Sequence, residues 1–108
     1  MTSAGEPDSN AAGADAPGTI TRIVKIVNSK GLHARASAKF VAVVDQFRDT
    51  AIKVAKGSET VSGDSIMGLM MLGAGIGSSI TVSARGPQAK EALDALDALV
   101  SSRFGEDE

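Results

Sequence analysis

The sequence predicts an α+β fold: an open-faced β-sandwich in which a four-stranded antiparallel sheet carries three helices on one face. Four short segments rich in β-branched residues alternate between apolar and polar side chains, which is typical of strands with one buried face. Three further segments repeat their apolar residues at helical spacing. Taken in chain order the segments give βαββαβα, an order that favours helices packed on an antiparallel sheet.

The first strand is predicted over residues 19–27, and turn-forming residues follow it at 28–31. A helix then begins near His33, and its apolar positions form one stripe. The stripe consists of Ala36, Phe40, Val43, Val44 and Phe47. The only histidine of the chain therefore stands where a strand-like run gives way to a helix.

Residues 51–56 and 60–62 predict the second and third strands, with a tight turn between them. The fourth strand is predicted over 79–84. The runs 51–56 and 79–84 alternate apolar and polar residues, so each predicts a strand with one side toward the core.

Two more helices complete the pattern. A helix of about two turns is predicted after the third strand, because Asp64 or Ser65 suits the N-cap and Gly73 suits the position just past the end. The last helix is predicted to start at Pro87 and to run to about Arg103. Its buried stripe is Ala89, Ala92, Leu93, Leu96, Leu99, Val100 and Phe104.

The chain divides into three parts. Residues 1–17 have no large apolar residue after Met1, so we expect a disordered leader. The folded domain is expected to span 18–104, and 105–108 form an acidic tail. The leader has the features of neither a secretory signal nor a transit peptide, and no run is long enough to span a membrane. We therefore expect a cytoplasmic protein without membrane insertion.

The composition excludes several classes of site. The chain has no cysteine, which rules out disulfides, thiolate metal sites and thiol nucleophiles. A single histidine without cysteines cannot form a structural zinc site, and we expect neither a metal nor a cofactor. The net charge of −2 and the absence of tyrosine and tryptophan disfavour nucleic-acid binding, so a small nucleic-acid-binding domain is a weak alternative.

His33 and Arg35 carry the most specific chemistry in the sequence. A helix start presents unpaired N–H groups and a partial positive charge, which suit an anion and favour a neutral imidazole. Such an imidazole can act as a nucleophile toward a phosphoryl group, and an arginine two residues later can bind the phosphoryl oxygens. The simpler interpretation is a surface or capping histidine beside a solvated arginine.

Two motifs, in this order of elements, resemble the HPr family, the phosphocarriers of bacterial phosphotransferase systems, including their nitrogen-type relatives. The first motif is Gly31-Leu32-His33-Ala34-Arg35, and the second runs from Ser65 to Gly73. The likeness extends from about Thr19 to Phe104.

This resemblance implies a phosphoryl carrier rather than an enzyme. His33 would accept a phosphoryl group on Nδ1 from the phosphohistidine of enzyme I and pass it to a histidine of an enzyme IIA-type acceptor, while Arg35 stabilises the group. The expected protein is a monomeric bacterial phosphoprotein that serves sugar transport or a nitrogen-type branch. The sequence does not distinguish these two branches.

Ser65 aligns with a serine that a dedicated HPr kinase/phosphorylase modifies in many members of the family. A phosphate there would place negative charge beside a surface meant for acidic partners and so block the relay. A plain N-cap serine explains the residue equally well, and Asp64 departs from the lysine or neutral residue of many members. The main alternative function is a regulatory binding domain controlled by phosphorylation of Ser65.

The helix that follows Ser65 has more apolar residues than one buried face can hold, so some of them must point outward. Exposed methionines form an adaptable apolar surface that can meet several partners in turn. We expect Ile66, Met67 and Met70 to contact the partner proteins.

Overall fold

The computed structural model describes residues 18–106, so the predicted leader over 1–17 and the last two residues of the predicted acidic tail lie outside the described residues. Four strands form one sheet in the order β1-β4-β2-β3, and three helices accompany it, which confirms the predicted fold class. The elements are β1 Thr19–Lys25, α1 Ala34–Val44, β2 Ala51–Lys56, β3 Glu59–Ser62, α2 Ile66–Met71, β4 Ser79–Arg85 and α3 Ala89–Ser101, followed by one turn of 3₁₀ helix over Arg103–Gly105.

β4 lies inside the sheet, between β1 and β2, and pairs antiparallel with both. Val82 stands opposite Arg22 on one side and opposite Val54 on the other. Along β4 the side chains of Ile80, Val82 and Ala84 are buried, while the residues between them are partly exposed. The sheet therefore buries one face, as the alternation of side chains predicts.

The helices cover this buried face and close the core. α3 packs against β1 and β4, and α1 packs against both other helices. Each helix contributes a fully buried large side chain, namely Phe40, Leu69 and Leu96. Burying a side chain of this size contributes about 1.5–3 kcal/mol relative to leaving it exposed. The core therefore fixes where the start of α1 and the end of α3 lie relative to each other.

The first strand is shorter than predicted, because β1 ends at Lys25 rather than at residue 27. The Ile26 N–H donates to the Ser78 carbonyl at 2.8 Å, and the Ile26 carbonyl accepts from the Gly77 N–H at 2.8 Å. These bonds attach the chain to the loop that precedes β4. The chain then enters the turn that leads to α1.

α3 differs from its predicted bounds at both ends. It begins at Ala89, because Pro87 lies in a turn that is closed by a hydrogen bond from the Ala89 N–H to the Gly86 carbonyl at 3.2 Å. It ends at Ser101, before two residues that adopt left-handed backbone angles. Phe104 is buried as predicted, but it lies in the 3₁₀ turn and not on the helix.

Candidate functional site

His33 is the N-cap residue of α1, with an extended backbone at φ −72° and ψ 179°. Its carbonyl accepts the first helical hydrogen bond, from the Ser37 N–H at 2.8 Å. Its ring makes no capping hydrogen bond to the helix. The interpretation of His33 as a capping side chain therefore fails, and the N–H groups of the first turn of α1 are left uncapped by it.

Gly31 lets the turn before His33 approach the loop that follows α2. Its φ of +63° is left-handed, and an added Cβ would overlap the Ala74 carbonyl oxygen and lie 2.8 Å from the Gly75 Cα. The Leu32 N–H donates to that same Ala74 carbonyl at 3.0 Å. The backbone beside His33 is therefore held by a contact that only glycine permits.

Glu106 contacts the histidine ring from the far end of the chain. The His33 Nε2 and the Glu106 Oε2 are 2.5 Å apart, although the two residues are separated by 73 positions. The His33 side chain is 26% exposed and the Glu106 side chain 16% exposed. In the sequence, Glu106 belongs to the predicted acidic tail and has no predicted role, so the pattern of residues does not reveal this part of the site.

Asn28 holds the other oxygen of that carboxylate. Its side chain is fully buried, and its Nδ2 donates to the Glu106 Oε1 at 3.1 Å and to the Gly31 carbonyl at 2.9 Å. Because both partners are acceptors, they fix the orientation of the amide. The Asn28 Oδ1 has no hydrogen-bond partner among residues 18–106. Asn28 therefore connects the turn before α1 to the carboxylate on the histidine.

The hydrogen bond from His33 lowers the pKa of the Glu106 carboxyl below its ordinary value of 4.5, and the hydrogen bond from Asn28 lowers it further. The carboxyl is thus ionised at neutral pH. Because the pKa is lowered by folding, the stabilisation is present above the ordinary pKa and is lost as the pH falls through the lower folded value.

A left-handed turn brings Glu106 back toward α1. Arg103, Phe104 and Gly105 have φ values of 61°, 56° and 75°. The Phe104 side chain is buried in the core, and the Phe104 carbonyl accepts from the Lys39 Nζ at 2.6 Å. Burial and this hydrogen bond hold a backbone that side-chain-bearing residues rarely adopt.

Arg35 is exposed in the first turn of α1, two residues after the histidine. Across the described range it forms no hydrogen bond or ion pair, so the structure does not join it to His33. Its guanidinium donors are therefore open to an anion from outside the domain.

Ser65 is the N-cap of α2, and its hydroxyl oxygen accepts from the Gly68 N–H at 2.9 Å. Of the two N-cap candidates the serine is therefore correct. Asp64 instead accepts a hydrogen bond from the Ser62 Oγ at 2.6 Å. Ser65 is partly exposed.

The apolar residues of α2 divide as predicted between core and surface. Leu69 and Leu72 are buried, whereas Ile66, Met67 and Met70 are exposed, Met67 at 70%. We call these three exposed residues the α2 patch. Met71 is exposed as well, although it is not among the three predicted contact residues.

The chain matches a family model described as "PTS HPr component phosphorylation site" over residues 20–102. It belongs to the PTS-HPr family. Members of this family are phosphocarriers of the phosphotransferase system and not catalytic enzymes. The match includes His33, Arg35 and Ser65 but ends before Glu106.

Similar proteins span almost the same length as this PTS-HPr domain. "Phosphocarrier protein HPr" of Cupriavidus necator is 47% identical over 89 residues, covering 82% of this chain and 99% of the relative. "Phosphocarrier protein NPr" of Shewanella violacea is 41% identical and covers 81% of this chain and 94% of the relative. The crystal structure of HPr-C-His from Thermoanaerobacter tengcongensis has a TM-score of 0.78 at 39% identity, and the match covers 82% of this chain and 99% of that chain.

Two further features of the described residues bear on the kind of site. In the range 18–106, no group of three His, Cys, Asp or Glu side chains could hold a metal ion. No helix of that range has the length and apolar character needed to cross a membrane.

Proposed function

We propose that the protein accepts a phosphoryl group from the phosphohistidine of enzyme I on Nδ1 of His33 and passes it to a histidine of an enzyme IIA-type acceptor. The observation that carries this proposal is a partly exposed histidine at the start of α1, where its ring makes no capping hydrogen bond. Its Nε2 has a partner within residues 18–106 and its Nδ1 has none there. Sugar-type and nitrogen-type acceptors are both included. A cytoplasmic, monomeric carrier suits this relay, because His33 must meet two proteins in turn.

In the proposed step the lone pair of Nδ1 attacks the phosphorus of the donor phosphohistidine. A bond forms between Nδ1 and phosphorus, the donor N–P bond breaks, and its electron pair returns to the donor ring. The first-turn N–H groups of α1 and the Arg35 guanidinium stabilise the transferred negative charge. The second transfer reverses these roles toward the acceptor.

The test is incubation of the purified protein with phosphoenolpyruvate and enzyme I. We expect the intact mass to increase by one phosphoryl group that is labile in acid and stable in base, as a phosphohistidine is. Adding an enzyme IIA-type acceptor should remove the group. A protein that never gains it, with enzyme I shown to be active on another carrier, would refute the proposal.

We also propose that phosphorylation of Ser65 regulates the relay. The Ser65 hydroxyl is partly exposed and already accepts the Gly68 N–H, and a phosphate oxygen can take over this role. The added charge would repel the acidic surfaces that we expect on the partners. A regulatory binding domain controlled by this residue remains the second candidate function.

We expect purified HPr kinase/phosphorylase and ATP to add an acid-stable phosphate to the wild-type protein. The Ser65→Ala variant should gain none, because its hydroxyl is gone. The matched control is Ser58→Ala, which removes an exposed hydroxyl from the β2–β3 turn and should leave modification intact. Mass spectrometry after acid treatment measures the result, and an unmodified wild-type protein would contradict the proposal.

The α2 patch is proposed as the docking surface for both partners. It presents apolar side chains on the helix that packs against α1, the helix that begins after His33. Flexible methionines can adapt to two different partner surfaces.

The Met67→Asp variant is expected to bind enzyme I about tenfold more weakly, because it places a charge at the centre of an apolar contact. Titration calorimetry measures the affinity. The control is Ile23→Asp, since Ile23 is 72% exposed on the sheet face away from the helices. Equal affinities for wild type and Met67→Asp would exclude the patch as the docking surface.

A further inference from the structure

We propose that Glu106 is a positioning residue for phosphoryl transfer: it keeps the proton of the His33 ring on Nε2 and leaves the lone pair on Nδ1. This inference rests on the proposed function of His33. Glu106 lies outside the region matched by the family model, which ends at residue 102.

The donor and acceptor properties of the two groups decide where the proton lies. An ionised carboxylate can only accept hydrogen bonds, so the Nε2 that contacts the Glu106 Oε2 must donate. A neutral imidazole carries one proton, and its other nitrogen then carries a lone pair. Glu106 thus selects the tautomer in which Nδ1 is the nucleophile. Among the described residues, no hydrogen bond occupies Nδ1.

The carboxylate is held in place on both sides. The buried Asn28 amide donates to the Glu106 Oε1, and Asn28 is itself fixed to the Gly31 carbonyl in the turn before His33. One buried side chain therefore sets the carboxylate relative to the backbone that carries the histidine. A ring and a carboxylate that met by chance on a surface would lack this connection.

The turn that places Glu106 beside His33 is a second observation that supports a specific role for this carboxylate. Arg103 and Phe104 both adopt left-handed backbone angles, which side-chain-bearing residues rarely do. The buried Phe104 ring and the bond from Lys39 to the Phe104 carbonyl hold them there. Left-handed backbone angles at such residues persist only where surrounding contacts hold them, and they occur most often at functional sites.

The carboxylate also acts on the charge of the product. When Nδ1 binds phosphorus while Nε2 keeps its proton, the ring becomes positively charged, and Glu106 lies directly against that charge. When the N–P bond breaks in the next transfer, its electron pair returns to Nδ1, and the positively charged ring becomes a neutral imidazole leaving group. Glu106 therefore keeps the phosphoryl group transferable during its time on the carrier.

The test uses Glu106→Gln, which has nearly the same shape but no charge. The carboxamide oxygen can accept a hydrogen bond from a protonated Nε2, and its NH₂ group can donate one to an unprotonated Nε2, so the side chain no longer selects a tautomer. Because the chain has a single histidine, ¹⁵N-histidine labelling reports one ring. We expect the wild type to show only the form protonated at Nε2 and the variant to show both tautomers. Transfer from enzyme I at saturating carrier should slow about tenfold, with the half-saturating concentration unchanged.

Two further variants separate positioning from packing. Glu106→Asp keeps an acceptor-only carboxylate and should recover most of the transfer rate. Glu91→Gln removes the same charge from an exposed site on α3 and should transfer at the wild-type rate.

The proposal fails if Glu106→Gln keeps the wild-type ring signals and rate, or if the Gln and Asp variants are equally slow. A wild-type protein that gains no phosphoryl group would overturn the proposed function instead, and the ring signals would still report whether Glu106 sets the tautomer.

Discussion

Replacing His33 with alanine is expected to abolish acceptance of a phosphoryl group from enzyme I. His33 is the only histidine of the chain, so no other imidazole can take over the reaction. The chain also has no cysteine that could serve as a thiol nucleophile. Intact mass spectrometry after incubation with phosphoenolpyruvate and enzyme I measures the loss, which should be complete and not partial.

The fold should survive this substitution, because the His33 ring is partly exposed and makes no capping hydrogen bond to α1. The thermal unfolding midpoint should fall only modestly, because the substitution removes the hydrogen bond to Glu106 but leaves the core intact. Ser37→Ala is an unsuitable control, since Ser37 is buried and its hydroxyl donates to the Leu32 carbonyl. Lys56→Ala, at a partly exposed position on β2, is a suitable control and should accept the group normally. An acid-labile phosphate on a well-folded His33→Ala protein would assign the site elsewhere.

Replacing Arg35 with alanine should slow phosphoryl transfer by about 10- to 150-fold, which corresponds to the roughly 1.5–3 kcal/mol of a charge-assisted hydrogen bond. The guanidinium is exposed and forms no ion pair within the described range, so its donors are available to the phosphoryl oxygens. Its loss removes an interaction that strengthens as the charged group arrives. Rapid-quench measurement of a single transfer from phosphorylated enzyme I provides the rate.

Two substitutions make the Arg35 result specific. Arg35→Lys keeps the charge but loses the planar fork of donors, so we expect an intermediate rate. Arg48→Ala removes an exposed arginine beyond the other end of α1 and should leave the rate unchanged. A single-transfer rate for Arg35→Ala equal to that of the wild type would remove the residue from the mechanism.

Local sequence patterns predict most of the secondary-structure elements and their order. The alternation along β4 predicted its buried side, and Ser65 was correctly among the candidates for the N-cap of α2. Gly73, expected just past α2, has the left-handed φ of 65° that such a position requires. In each case the residues that form the pattern and the structural feature they predict are separated by only a few positions in the chain.

The carboxylate of the site could not be predicted in this way. Placing Glu106 on His33 requires a chain reversal by Arg103 and Phe104, whose residue types do not indicate left-handed angles. Asn28 looked like one turn residue among several, and its burial depends on contacts made at the end of the chain. Pairings over such distances depend on the packing of α3, which periodicity does not report.

The contact between Leu32 and Ala74 has a consequence for how a visiting protein is received. Ala74 lies in the loop directly after α2, and the Leu32 backbone is adjacent to His33. The backbone beside His33 and the loop that follows the α2 patch are therefore held together, and Gly31 permits their close approach. In the proposed relay, a partner bound to the α2 patch would therefore meet the His33 imidazole at a set distance and angle, and the two reacting rings would be largely aligned on binding.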